Sequence, residues 1–178
     1  MDLRIIKTKQ QIKQAFLSLR DQYVPEKIKV KDICERAKIN KTTFYKHYVD
    51  ALDLANEIEE SCMEKLLSTF SEKKNLFESP KAYVQGLLGA VEKQAEELRT
   101  VYRDRMDAFV AKLENRLLHY CVGNEHSAER RMIATFMISG LVSVLAHWLF
   151  SNEGKLPDIV AVTAYVERLT GSLLSVTK

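Results

Sequence analysis

The stretch that decides the fold spans residues 29–48 and reads KVKDICERAKINKTTFYKHY. Its apolar residues recur at helical spacing on both sides of a break at Lys38-Ile39-Asn40. The pattern predicts one helix over 30–37 and another over 41–47, because Asn40 can cap the second helix through the amide of Thr43. Two short helices joined by a three-residue turn make a helix-turn-helix, whose second helix has the size needed to enter a DNA major groove.

The predicted second helix carries side chains that suit a DNA reader. Three residues at its start can contact base edges in the major groove: Lys41, Thr42 and Thr43. Three that follow can reach phosphate oxygens, which set the register of a protein on DNA without reading its sequence: Tyr45, Lys46 and His47. Four apolar residues are expected to hold the two helices at a fixed angle: Ile33, Ala37, Ile39 and Phe44.

The runs ICERA at 33–37 and INKTTFYKHY at 39–48 resemble the DNA-binding domain of the TetR/AcrR family. In that family a similar Thr-Phe/Leu-Tyr-x-His-Phe/Tyr run ends the helix-turn-helix, and a ligand-binding, dimerising helical body follows. The motif-level similarity covers residues 1–55. The resemblance implies a groove-facing or backbone-contacting role for six residues: Lys31, Lys41, Thr42, Thr43, Tyr45 and His47.

Three positions depart from the family pattern. Lys29 stands where a threonine usually caps the first motif helix, which removes a cap worth roughly 1 kcal/mol. Lys38 replaces the turn glycine, and a non-glycine residue with positive φ costs on the order of 1 kcal/mol. Ala51 replaces a lysine expected to contact phosphate. The missing cap and Ala51 motivate an alternative, in which the chain keeps the fold but acts by contacting another regulator instead of DNA.

The charge of the chain is unevenly distributed. Residues 1–50 contain twelve Lys/Arg and six Asp/Glu, a net charge of +6, whereas the remainder has a net charge of −3. A basic head on a mildly acidic body is typical of a protein that binds a polyanion. A solvated charged surface without any partner can show the same asymmetry, so charge permits DNA binding without identifying it.

The remaining sequence is also predicted to be helical, which makes the chain all-α with about nine helices. One helix is expected over 3–23, with five apolar residues on one face: Ile5, Ile12, Phe16, Leu19 and Tyr23. Others are expected over 50–72, over 127–150 and over 157–176. Between them a Ser79 cap and Pro80 begin a segment in which residues 81–121 form two or three helices, with one seam expected near 97–101. The sequence therefore predicts two domains: a helix-turn-helix domain over 1–49, and a helical regulatory and dimerisation domain over 50–178.

The last two predicted helices are unusually apolar. The 21 residues between Arg131 and Glu153 contain no Asp, Glu, Lys or Arg, and the final helix repeats apolar residues in steps of three and four. Burial on two sides, toward the core and toward a second copy, explains this pattern. Residues expected at the dimer interface are Phe136, Gly140, Val144, Ile159, Val162, Val166, Leu169 and Leu173. A membrane span is the alternative, and the interspersed Ser, Thr and His residues favour a protein partner.

The family resemblance also implies a small-molecule pocket in the helical body, for an effector whose identity the sequence does not indicate. Candidate lining residues are Met63, Leu66, Leu67, Phe70, Tyr83, Leu87, Tyr102, Met106, Phe109 and Trp148. Methionine and aromatic side chains suit an adaptable apolar cavity. The same residues also suit an ordinary hydrophobic core, and we expect most of them to be core.

No feature of the sequence indicates catalysis, a cofactor or a metal. Glu92, Glu96 and Glu97 lie on a mixed charged face, and His119, Cys121 and His126 match no metal-ligand spacing. The three widely spaced cysteines and the absence of a signal-peptide pattern favour the cytoplasm.

The helix-turn-helix, the basic head, the apolar last helices and the family resemblance together predict the function of the chain. It is expected to be a ligand-responsive transcriptional repressor that binds a palindromic operator in double-stranded DNA as a homodimer.

Overall fold

The computed structural model describes residues 3–70, 76–122, 127–151 and 159–176. Within these ranges all regular secondary structure is helical, which confirms the all-α prediction. The helices are α1 (Leu3–Leu19), α2 (Val30–Ala37), α3 (Lys41–Tyr45), α4 (Ala51–Thr69), α5 (Pro80–Lys93), α6 (Ala95–Tyr102), α7 (Met106–Val122), α8 (Ala128–Phe150) and α9 (Ile159–Val176). A single 3-10 turn over Pro25–Lys27 lies between α1 and α2.

The chain forms two compact units, Met1–Cys62 and Met63–Lys178, so that the division falls inside α4. In the first unit α1 packs against α2, and α2 packs against α3. The beginning of α4 belongs to this unit, because Glu57 on α4 pairs with Lys9 and Lys13 on α1. The domain boundary expected from the sequence, at 49/50, lies in the loop before α4.

Helix α1 is shorter than predicted, because the chain turns after Leu19 instead of continuing to Tyr23. The guanidinium of Arg20 is buried, with only 1% of the residue exposed, and its Nη1 donates to the Tyr23 carbonyl at 2.8 Å. Ile12, Phe16 and Leu19 are buried as predicted. Ile5 and Tyr23 are exposed. Their assignment to the apolar face was therefore wrong.

In the second unit, residues 80–122 form three helices, and the predicted seam near 97–101 was wrong because those residues lie inside α6. The chain breaks instead at Gln94, whose side-chain Nε2 donates to the Lys65 carbonyl at 3.2 Å and to Thr69 Oγ1 at 3.1 Å. Pro80 begins α5 as predicted, but the Ser79 side chain makes no capping hydrogen bond.

The core of the second unit is built where α7 packs against α8 and α5 packs against α9. Phe109 joins helices α6 and α8, since its ring lies edge-on to Tyr102 and to Phe150 with centroid distances of 5.4 Å. The predicted end of the fourth helix at residue 72 and the predicted start of the last helix at residue 157 lie outside the described residues.

Candidate nucleic-acid interface

The helix-turn-helix begins with α2, whose bounds agree with the sequence prediction, and ends with α3. Between them Lys38 adopts a left-handed backbone conformation, with φ 55° and ψ 44°. Asn40 caps α3 as predicted: its Oδ1 accepts the Thr43 amide at 2.7 Å and the Thr43 hydroxyl at 2.9 Å. Helix α3 ends at Tyr45, so His47 lies in the following turn and not on the helix.

Phe44 packs α3 against the rest of the first unit, because it is the buried residue of that helix and is 0% exposed. Its ring packs against Tyr48 at a centroid distance of 5.7 Å. Ile33 and Ala37 are buried on α2, and Ile39 in the turn is half-buried. These four apolar residues are the centre that the sequence predicted, and they leave the opposite side of α3 exposed.

The structure places most of the predicted DNA-contacting residues on the surface. Exposed members of that set are Lys31, Lys41, Thr42, Tyr45 and Lys46. Thr43 and His47 are half-buried. Because the Thr43 hydroxyl already donates to Asn40, it can still accept a hydrogen bond from a base but has no hydrogen to offer. Thr42 carries the more available hydroxyl.

The basic residues of the head differ in how far they are neutralised. Lys31 lies 3.6 Å from Glu35, one helical turn along α2, in an exposed pair. Lys9 and Lys13 pair with Glu57 at 2.8 and 2.9 Å. Among the described residues no ion pair is formed by three exposed lysines of the motif: Lys38, Lys41 and Lys46.

Glu57 makes contacts to Lys9, Lys13 and Tyr48 that the sequence did not predict. The Tyr48 hydroxyl donates to its carboxylate at 3.1 Å, so one carboxylate connects α1, the end of the motif and α4. Burial alone would raise the pKa of Glu57, but hydrogen bonds from Lys9 and Lys13 outweigh burial and lower the pKa to about 2. Burial and the Glu57 carboxylate raise the pKa of Tyr48, which therefore stays protonated.

At the start of α4, the carboxylates of Asp50 and Asp53 accept hydrogen bonds from backbone amides. The Asp53 amide donates to Asp50 Oδ1 at 2.8 Å, and the Val49 amide donates to Asp53 Oδ2 at 2.9 Å. Two acidic side chains therefore occupy amides at a helix end that would otherwise attract an anion. Ala51, at the position where the resemblance implies a lysine, is only 6% exposed.

In the second unit, α8 is apolar on two sides. Its inward face includes Ile133, Met137 and Leu141, which are buried. Its outward face exposes three residues predicted for the dimer interface, Phe136, Gly140 and Val144, together with Met132, which is 73% exposed. Met132 continues the same four-residue repeat toward the start of the helix, so the sequence contained the signal that would have added it.

Helix α9 also has an exposed apolar side. Of its predicted interface residues, Leu169 is exposed, and Val162 and Val166 are half-buried. The side chains of Ile159 and Leu173 lie outside the described residues. Val160 and Tyr165 are exposed apolar residues of α9 that the prediction missed, since they fall outside the seam of three- and four-residue steps.

The predicted pocket residues form packed core in this structure. Buried members are Met63, Leu66, Leu67, Phe70, Tyr83, Leu87, Tyr102, Phe109 and Trp148. Met106 differs, because it begins α7 and is 46% exposed. A cavity of about 400 Å³ lies elsewhere, at the junction of α5 and α6, and is lined by Lys65, Thr69 and residues 92–97. None of the predicted pocket residues lines that cavity.

Helix α8 is long and apolar enough to cross a membrane by length and composition, yet 56% of its most apolar window is buried inside the protein. A core helix of a water-soluble bundle shows the same combination. Within the described ranges, no group of three or more His, Cys, Asp or Glu side chains is placed to hold a metal ion.

Solved structures share this architecture, although no protein-family model and no curated protein sequence matches the chain. A TetR transcriptional regulator from Streptococcus agalactiae 2603V superposes with a TM-score of 0.62 at 22% identity, over 98% of this chain and 96% of that one. The dihydroxyacetone kinase operon activator DhaS superposes with a TM-score of 0.59 at 18% identity, over 96% and 98%. For a TetR-family regulator from Streptomyces coelicolor the TM-score is 0.58 at 16% identity, over 99% and 83%.

The likeness extends over nearly the whole chain, whereas the motif-level similarity in the sequence is confined to residues 1–55. The chain therefore has the fold of the TetR-family transcriptional regulators, which confirms the fold that the resemblance implied.

Proposed function

We propose that this chain is a TetR/AcrR-type transcriptional regulator of the cytoplasm and not an enzyme. In this proposal it binds a palindromic operator as a homodimer, represses transcription and responds to a small molecule. The observation that carries the proposal is the exposed side of α3, which is held in place by buried Phe44 and by the Asn40 cap. A short rigid helix with exposed cations and hydroxyls is what major-groove reading requires.

The residues of α3 divide between two tasks. Lys41 and Thr42 begin the helix and are exposed, so they are assigned to base edges. Thr43 is assigned a smaller part, through its methyl group and an accepting lone pair, because its hydroxyl hydrogen serves the cap. Tyr45 and Lys46, both exposed, are assigned to phosphates with Lys31, and His47 supports the backbone contact from the turn.

A homodimer supplies the second reading helix. The outward face of α8 exposes Met132, Phe136 and Val144, and α9 adds Val160 and Leu169. Exposed apolar side chains that recur along one face of a helix are typical of an interaction surface. In the dimer, two copies of α3 would lie about 34–36 Å apart and enter successive major grooves of a palindromic site.

The effector response is assigned to α4, because this helix runs through the division between the two compact units. A small molecule bound in the second unit would shift α4 and change the separation of the two reading heads. Coupling between sites of this kind is about 1–3 kcal/mol. The packed core of the second unit would have to open to admit an apolar effector among Met63, Leu67 and their neighbours.

The direction of regulation is a separate part of the proposal. Repression follows when the dimer occupies DNA that the polymerase needs. DhaS, whose fold is similar, is named an operon activator. A reporter gene placed behind the selected operator distinguishes the two: lower expression with the protein present supports repression, and higher expression shows activation.

Selection of bound duplexes from a random-sequence pool at low salt tests the central claim. We expect enrichment of a palindrome whose half-sites are one helical turn apart. If no sequence is enriched, DNA reading is contradicted. The alternative of a protein-contacting co-regulator then gains support, and it is favoured by exposed Val49 and Leu52 beside the acidic start of α4.

A further inference from the structure

We propose that Lys38, in the turn of the helix-turn-helix, is a phosphate-contacting residue that sets the register of α3 on DNA. The inference rests on the proposed DNA binding and adds a contact outside α3 itself. Four observations carry it: the backbone conformation of Lys38, its exposed charge, its position before α3 and the closed start of α4.

The backbone of Lys38 is strained. Its φ of 55° lies in the left-handed region, and among the described residues it is the one non-glycine residue with positive φ. The turn demands this conformation, because the Ile39 amide donates to the Cys34 carbonyl at 3.0 Å as the chain leaves α2. Glycine adopts the same conformation without steric cost. A strained residue in place of glycine points to a function for its side chain.

The charge of Lys38 has no counterpart within the described structure. The nearby carboxylate of Glu35 is paired with Lys31, and none of the ion pairs of the described residues involves Lys38. The residue is exposed, so its ammonium group is available to an external anion. A lysine without an internal ion pair that occupies a strained backbone position is accounted for by an anionic partner.

The position of Lys38 identifies that anion as a nucleic-acid phosphate. Lys38 precedes Asn40, which caps α3, and Lys41, which begins it. A cation at this point contacts the strand beside the groove into which the start of α3 would be inserted. Phosphate contacts at such a point fix orientation and carry no sequence information.

The start of α4 cannot supply an equivalent contact. The Asp53 amide donates to Asp50 and the preceding Val49 amide donates to Asp53, so two carboxylates that repel phosphate lie at this helix start, and Ala51 is buried and carries no charge. In this proposal Lys38, in the turn of the motif, therefore makes the contact to the DNA backbone that Ala51 cannot make.

The experiment measures the salt dependence of binding for the full-length protein, its Lys38→Gly and Lys38→Arg variants, and a Lys81→Ala control. Lys81 is an exposed lysine of α5, so the control removes one charge from the second unit. The probes are a random-sequence duplex and the duplex enriched by selection. Thermal denaturation is recorded in parallel.

We expect Lys38→Gly to reduce the log–log salt slope by about 0.9 per subunit and to weaken binding to both duplexes by about five- to tenfold per subunit near 0.1 M salt. Its thermal midpoint should not fall, because glycine relieves the left-handed strain. Lys38→Arg should retain the parent slope, and Lys81→Ala should leave the slope unchanged.

An unchanged slope in Lys38→Gly, with the parent still binding DNA, overturns this inference and leaves the proposed function standing. Equal losses in Lys38→Gly and Lys81→Ala also overturn it, because they would report net charge alone. If the parent binds neither duplex at low salt, both the inference and the proposed function fail.

Discussion

Thr43 and Asn40 close the start of α3 on each other, because the amide and the hydroxyl of Thr43 both donate to the same Asn40 oxygen, at 2.7 and 2.9 Å. The cap satisfies one of the free amides at the helix start. It also removes the hydroxyl hydrogen of Thr43 from any donation to DNA. Thr43, which the sequence predicted to contact bases, is thus partly a structural residue of α3.

The cap makes Asn40 a test of stability that can be separated from DNA binding. We expect Asn40→Ala to destabilise the protein by about 1 kcal/mol, because the Thr43 amide loses its acceptor. Thermal denaturation should show a midpoint lower by about 2–4 °C for a chain of this size. An unchanged midpoint in Asn40→Ala would contradict the importance of the cap.

Asn40→Asp is the matched variant, because its carboxylate can accept the same two hydrogen bonds and is favourable at a helix start. Its thermal midpoint should stay within about 1 °C of the parent's, a shift well below that expected from losing the cap. Its DNA binding should weaken, because the added charge lies beside the expected phosphates. Tighter DNA binding by this variant would show that the start of α3 does not face DNA.

Lys41 and Lys46 should differ in kind and not only in degree. Lys41→Ala is expected to change which bases are preferred, with a loss of about 1–3 kcal/mol of discrimination at one position. Lys46→Ala should weaken all sequences similarly and lower the log–log salt slope by about 0.9 per subunit. Binding to a panel of single-base variants of the selected duplex measures both effects. If Lys41→Ala weakens every duplex equally, its assignment to base reading is wrong.

Glu57 should make the stability of the first unit depend on acid pH. Its pKa is lowered from 4.5 to about 2 in the folded protein, so its contribution is fully present above about pH 4.5 and is lost as the pH falls toward 2. Screening of this partly exposed group by solvent limits the contribution to about 1 kcal/mol.

Denaturant unfolding at pH 7 and pH 3 measures this dependence. Glu57→Gln should be less stable than the parent at pH 7, and the difference should shrink at pH 3. Lys31→Ala is a suitable control, because its exposed pair with Glu35 contributes little. A constant difference between the parent and Glu57→Gln across this pH range would contradict the role of the carboxylate charge.

The outward face of α8 should decide the oligomeric state. Phe136, which is 67% exposed, lies at the middle of the proposed interface. Phe136→Glu would bury a charge against its own symmetry mate, so we expect a monomer by analytical ultracentrifugation and a loss of operator binding. Met106→Glu, at an exposed apolar residue outside this face, should remain a dimer. Far-ultraviolet circular dichroism separates loss of the dimer from loss of folding. A dimeric Phe136→Glu variant contradicts this interface.

Local interactions explain what could be predicted at the helix-turn-helix. The bounds of α2, the cap at Asn40 and the left-handed turn at Lys38 all depend on neighbours within a few residues along the chain. Each follows from hydrogen bonds and sterics that sequence spacing specifies. For the same reason the apolar centre around Phe44 could be identified from the spacing of its residues alone.

Features that depend on distant residues could not be predicted in the same way. Arg20 ends α1 early by turning inward to the Tyr23 carbonyl, and nothing in the spacing of that helix indicates a buried guanidinium. Glu57 meets Lys9 and Lys13 only because α1 and α4 lie side by side. The break at Gln94 likewise depends on acceptors supplied by the end of α4.

By itself, the sequence determined an all-helical chain with a basic helix-turn-helix over its first fifty residues and a long helix without charged residues between Arg131 and Glu153. Only the tertiary structure decided which face of α8 is covered by α7 and α9 and which face exposes Phe136. It also decided which lysines of the head are neutralised. The physical reason is that burial and ion pairing are set by neighbours far apart in the chain, whereas a cap or a turn is set by the next few residues.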